Sequence, residues 1–170
     1  MSNPVVLITG GARGIGAGIA KSFLKAGYST MIADIGVHSD KTDWAYEFAT
    51  PSDINALKKE SPDLRACFVD VTNFKSCQEA VSQTVESFGR LDVLINNAGV
   101  VNSGPIESFD ETAWDKIFEV NTKGIFLMTK AALSDLKKSK APSIINTASI
   151  AGKKGYANMS AYCGSKFAAI

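Results

Sequence analysis

One histidine, three cysteines and no basic run longer than two residues leave this 170-residue chain little with which to bind metal, staple itself or hold nucleic acid. Cys67, Cys77 and Cys163 are odd in number and lack the spacing of a metal site. Neither a disulfide framework nor a metal centre is therefore expected, and a reducing, cytoplasmic compartment fits best. His38 is the lone histidine and reads as a surface loop residue. The formal net charge is +1, and the longest basic runs are Lys58-Lys59, Lys137-Lys138 and Lys153-Lys154, which argues against a nucleic-acid surface. No apolar run has the length of a membrane span, and no charged-then-apolar leader opens the chain, so no membrane partner is expected. Internal repeats and low-complexity tracts are also missing.

What is there suits one globular domain over residues 1–170: 45% hydrophobic and 21% charged residues. Short apolar runs at 5–8, 28–33, 65–69, 92–96 and 142–147 read as strands buried on both faces. Helical spacing separates them. A first helix ends near Gly27, another spans Ser76 to Phe88 with Gly89 as its cap, and one long helix runs from Phe109 to about Lys138. Residues 36–64 are less regular: Trp44, Tyr46 and Phe48 precede a break at Pro51-Ser52-Asp53 and a short Ile54-x-x-Leu57 helix ending near Ser61-Pro62. They read as one interrupted helix or a short helix with an insertion. Alternating strands and helices of this kind predict an α/β fold, a doubly wound parallel sheet of Rossmann type, with ligands at the carboxyl ends of the strands.

The residues at those ends carry the chemistry. Val5 to Ile8 lead into Thr9-Gly10-Gly11-Ala12-Arg13-Gly14-Ile15-Gly16 and then a helix. A strand, a glycine turn and a helix start place backbone N–H groups and a positive dipole end at one spot, which suits a phosphate. The spacing is not the common Gly-x-Gly-x-x-Gly, and glycine turns also join strands to helices without any ligand. Asp34, 24 residues after Gly10, can accept bonds from ribose hydroxyls and repel a 2′-phosphate, or can be an ordinary strand-end aspartate. Tyr162 and Lys166 lie four apart on a helix face, where the ammonium favours phenolate; such pairs also occur on plain amphipathic helices. Ser149 stands either to polarise a substrate oxygen or merely to shape a turn, and Asn121 either points into a polar site or faces solvent.

Taken in order, Thr9-Gly10-x-x-x-Gly14-x-Gly16, Asp70, Asn96-Asn97-Ala98-Gly99, Asn121, Ser149 and Tyr162-x-x-x-Lys166 resemble the classical short-chain dehydrogenase/reductase family over essentially the whole chain. The resemblance implies an NAD(P)-dependent oxidoreductase acting on a small-molecule alcohol or carbonyl compound. Tyr162 is then the acid/base, Lys166 supports it and binds the nicotinamide ribose, Ser149 orients the substrate, and Asn121 holds a proton-relaying water. Gly10, Arg13, Gly14, Ile15, Gly16, Asp34, Asp70, Val71, Asn97, Ala98 and Gly99, with Tyr162 and Lys166, are the implied cofactor contacts. Asp34 favours NAD over NADP, although Arg13 is a basic residue of the kind that helps some NADP-dependent relatives.

The family continues beyond the position of Ile170 through the segment that closes over substrate, so the C-terminal part is expected to be missing here, with the fifth strand exposed as an edge. A homo-oligomeric longer parent is expected. A nucleotide-binding or interaction subunit without turnover is the alternative. Polyol oxidation and 3-oxoacyl thioester reduction both remain open as substrate classes.

Overall fold

The computed structural model describes residues 3–37, 49–59 and 61–170. Its strands are β1 (Val5–Thr9), β2 (Ser29–Asp34), β3 (Leu64–Phe68), β4 (Val93–Asn96) and β5 (Ser143–Asn146). All pair in parallel, in the order β3-β2-β1-β4-β5. The helices between them are α1 (Gly14–Lys25), α2 (Pro51–Lys58), α3 (Phe74–Phe88), α4 (Glu111–Phe118) and α5 (Gly124–Leu136), with α6 (Ser160–Phe167) after β5.

The continuous apolar strands follow from burial on two faces. Successive side chains of a strand point opposite ways, so Val6 and Ile8 join Ile32, Ile95 and the α1 and α2 residues Ala20 and Ile54 on one side. Leu7 joins Met31, Leu94 and the α3 and α5 residues Ala80 and Met128 on the other. The sheet is thus covered on both faces, as parallel sheets are. The exception is β5, whose four residues are all exposed, Ile144 at 40% and Ile145 at 45%. Among the described residues it is an open edge.

Two details differ from expectation. Thr50 rather than the Pro51–Asp53 stretch caps α2, through a reciprocal box in which Thr50 Oγ1 accepts from Asp53 N and Asp53 Oδ2 accepts from Thr50 N. The long helix predicted over 109–138 is divided: a π turn over Glu119–Lys123 separates α4 from α5. His38, Trp44, Tyr46 and Phe48, read from the sequence as a loop residue and parts of an interrupted helix, lie outside the described residues.

The order of the sheet reverses direction at β1 and β4, because the chain moves outward to β2 and β3 before returning past β1. The connections leaving their carboxyl ends therefore run to opposite sides, and the crevice opens there.

Candidate functional site

The crevice is built on Thr9. Its hydroxyl oxygen accepts from Asn97 N at 3.0 Å and Ala98 N at 3.1 Å, tying the ends of β1 and β4 together. Asn97 reciprocates: Nδ2 donates to Thr9 O at 3.1 Å and Gly10 O at 3.0 Å. This lacing fixes the glycine loop. At Gly10, φ is +62°, and a Cβ would lie 2.9 Å from Ala98 Cα. At Gly16 a Cβ would lie 2.0 Å from Gly10 O, so no larger residue fits without opening the loop.

The loop delivers the start of α1 to the crevice. Arg13 stands at the cap position but makes no side-chain cap bond, and the first turn contains no acidic residue. Among the described residues the first-turn N–H groups and the positive helix end have no capping side chain, the arrangement that suits a bound diphosphate. Opposite, Asp34 is buried with Oδ2 accepting from Ala12 N at 3.1 Å and Oδ1 from Gly36 N at 3.0 Å. Each oxygen keeps a further acceptor site, so the carboxylate is held in place without being saturated. Asp70 is fixed similarly, with Oδ1 accepting from the backbone and hydroxyl of Thr72.

A cavity of about 400 Å³ runs across these elements. Every residue predicted to contact a cofactor lines it: Gly10, Arg13, Gly14, Ile15, Gly16, Asp34, Asp70, Val71, Asn97, Ala98, Gly99, Tyr162 and Lys166. Its volume lies in the range of small-molecule sites.

At the β5 end, α6 brings Tyr162 and Lys166 to one face. Lys166 is buried, its Nζ donates to Thr147 O at 2.9 Å, and it sits 5.9 Å from the centre of the Tyr162 ring. No carboxylate pairs with it among the described residues. Burial pushes its ammonium below the ordinary lysine pKa.

Neither Ser149 nor Asn121 lines the cavity. Ser149 Oγ accepts from Ala151 N at 3.1 Å and caps the turn Ile150–Gly152; its own hydrogen remains to be donated. The π turn directs Asn121 inward, where it is 1% exposed rather than solvent-facing. Its Nδ2 donates to Val100 O at 2.9 Å and Ser165 Oγ at 3.0 Å, and Oδ1 accepts from Val100 N at 2.8 Å. Both amide hydrogens are engaged, and the side chain ties the loop after β4 to α6.

Lys116 on α4, a lining residue, escaped the sequence reading. Thr147, at the end of the fifth strand, supplies the carbonyl that holds Lys166. For the lacing role of Thr9 the signal in the sequence is a hydroxyl that ends a buried strand and needs partners.

The profile of the family described as short chain dehydrogenase matches residues 4–170. Galactitol 2-dehydrogenase of Agrobacterium fabrum is 36% identical, covering 100% of this chain and 62% of its own length. Trans-4-hydroxycyclohexanecarboxylate dehydrogenase of Sinomonas cyclohexanicum is likewise 36% identical, over 98% of this chain and 62% of its own. Among solved structures, carveol dehydrogenase of Mycobacterium avium in complex with NAD superposes with a TM-score of 0.88 at 28% identity, over 99% of this chain and 62% of that one. A short chain dehydrogenase/reductase of Burkholderia phymatum in complex with NAD gives 0.86 at 27%, over 98% and 56%. The chain spans about three-fifths of the length of the relatives it matches.

Proposed function

Because the chain belongs to the short-chain dehydrogenase family, we propose that it carries the dinucleotide-binding and acid/base part of an NAD-dependent oxidoreductase that interconverts an alcohol and a carbonyl compound. The observation that carries this reading is the buried Lys166, without a carboxylate partner among the described residues, set against the Tyr162 ring in the same cavity as the glycine loop. A chain that only needed to fold would gain nothing from a desolvated ammonium there.

NAD, when bound, supplies the hydride acceptor or donor. The uncapped start of α1 and the Gly10–Gly16 loop hold its diphosphate, Asp34 takes the adenosine ribose, and Asp70 and Val71 flank the adenine. Tyr162 accepts the alcohol proton in oxidation and returns it in reduction. Lys166 places positive charge where negative charge develops as the phenol gives up its proton. Ser149 keeps its hydroxyl hydrogen for the substrate oxygen. Asn121 acts as a positioning residue, holding the loop that begins at Val100 against α6. Asp34 favours NAD over NADP because a 2′-phosphate would meet its carboxylate. The named relatives that act on a galactitol and on a hydroxycyclohexane carboxylate support a secondary alcohol as substrate.

NADH fluorescence on titration with this chain, beside Asp34→Ala and with NADPH as competitor, tests the assignment. Saturable NADH binding, with NADPH gaining on NADH in the variant, is expected. A folded wild-type chain that binds neither nucleotide would overturn it.

A further inference from the structure

The loop after β4 is fastened to the rest of the site at both of its ends. It leaves the strand beside Lys166, where a Cβ on Gly99 would lie 3.6 Å from Nζ. Asn121 then holds Val100 by both its N–H and its carbonyl. At the far end Gly104 N donates to Asn158 O at 2.8 Å. Between the two fastenings Val101, Asn102 and Ser103 are exposed, and Val101 lines the cavity together with Tyr162. The loop thus meets α6 at Lys166 and the chain just ahead of α6 at Asn158, with Tyr162 between those two points.

Asn158 makes its fastening through an uncommon backbone conformation. Its φ is +61°, and it is the one non-glycine residue with positive φ among the described residues. In the right-handed helical conformation its carbonyl would point along α6, towards the N–H four residues on. The left-handed conformation turns that carbonyl out of the helix, where Gly104 N reaches it. Asparagine adopts this conformation more readily than most residues that carry a side chain, and β-branched residues resist it. Asn158 is exposed, and its side chain makes no hydrogen bond among the described residues. The position is used for its backbone.

We propose that Asn158 is a positioning residue, whose left-handed backbone holds the arch 101–103 on the Tyr162 side of the cavity. It thereby shapes the wall beside the nicotinamide and the substrate alcohol. The inference rests on the dinucleotide reading and adds to it a residue outside the cavity that acts on the reacting end alone. A side chain that opposes positive φ leaves the arch fastened in a smaller fraction of molecules. A ligand that needs the wall in place binds in proportion to that fraction.

The test is titration of the 170-residue chain and its Asn158→Val, Asn158→Gly and Asn158→Asp variants with two ligands. NADH is followed by fluorescence, and ADP-ribose, which lacks the nicotinamide, by calorimetry. Asn158→Val is expected to weaken NADH by about threefold to tenfold and to leave ADP-ribose unchanged. Asn158→Gly and Asn158→Asp, which keep access to positive φ, are expected to retain both affinities. Rescue by residues so unlike each other separates backbone direction from side-chain chemistry. The split between the ligands separates positioning from a general loss of structure. Thermal melting checks that each variant is folded, and Asn158→Ala replaces Asn158→Val if that variant is not. Equal NADH affinity in wild type and Asn158→Val would overturn the inference and leave the dinucleotide reading standing. So would equal weakening of NADH and ADP-ribose, or a loss in Asn158→Gly as large as in Asn158→Val. Binding of neither nucleotide by the folded wild type would overturn both readings.

Discussion

Asn121 and Ser165, 44 positions apart, are joined by a 3.0 Å bond from Nδ2 to Oγ, and the same serine hydroxyl donates to Tyr162 O at 2.8 Å. A fully buried hydroxyl thus links the helix carrying Tyr162 to the residue that holds the neighbouring loop.

Replacing Ser165 by alanine removes the acceptor of one amide hydrogen in a dry site. The expected loss of stability is about 1–3 kcal/mol, most of it the desolvation of Asn121 left without a partner. Asn121→Leu also strands Val100 N and O, so the double variant, Ser165→Ala with Asn121→Leu, is expected to lose more than either single variant but less than their sum. Denaturant unfolding measures both, and additive losses would refute the pairing.

Lys166 should stand in the opposite relation to stability. Burial lowers its pKa in the folded chain, so protonation favours the unfolded state. The penalty is full below the folded pKa and disappears above the unfolded value near 10.4. Lys166→Met is therefore expected to melt no lower than wild type at pH 7, and up to about 3 °C higher. That advantage should shrink as the pH is raised towards 10. A variant that melts lower at both pH values would contradict the account.

Asp92 marks the other end of the sheet. Burial by itself raises its pKa, but bonds from Arg90, Ser139 and Val5 N outweigh that and hold it below the usual carboxylate value. A depressed carboxylate stabilises the fold above its unfolded pKa and loses that contribution as pH falls through the folded one. Asp92→Asn is expected to cost about 2 kcal/mol at pH 7, or roughly 4–8 °C in melting temperature. The gap to wild type should close under acid. A gap independent of pH would point to packing instead.

Gly14 has φ of +51° and open space where a Cβ would lie. Aspartate tolerates this left-handed conformation better than most residues, so Gly14→Asp should fold. Its carboxylate would enter the cavity beside the start of α1. NADH affinity is expected to fall by at least about tenfold, since like charge meets the diphosphate. Undiminished binding would move the diphosphate away from this loop.

The sheet and the cofactor side of the cavity were legible in the sequence because both depend on local necessity. Strands buried on two faces must be apolar throughout, and the close approach of Gly16 to Gly10 O permits no side chain. Asp34 and Asp70 could be placed because strand ends converge on one edge. Ser149 and Asn121 were found as residues but not as geometry. Their direction depends on a capped turn and a π turn, neither of which has a periodic signature. Lys116 was invisible for a plainer reason: a lysine on an amphipathic helix looks solvated until the neighbouring loops are in place. Helix α2 begins before the Ile54-x-x-Leu57 pattern for the same kind of reason, since Thr50 and Asp53 cap each other across the break at Pro51.

The π turn at Glu119–Lys123 has one consequence for how the chain tolerates change. Such a turn contains one residue more than the α-helix it interrupts. Shortening the chain by that residue would give a seamless rod, with its flanks still able to cover the sheet. Asn121 would rotate away from Val100 and Ser165, and the loop after β4 would lose its fastening. The one residue the sheet's cover could spare is thereby the one that keeps the loop after β4 fastened to α6.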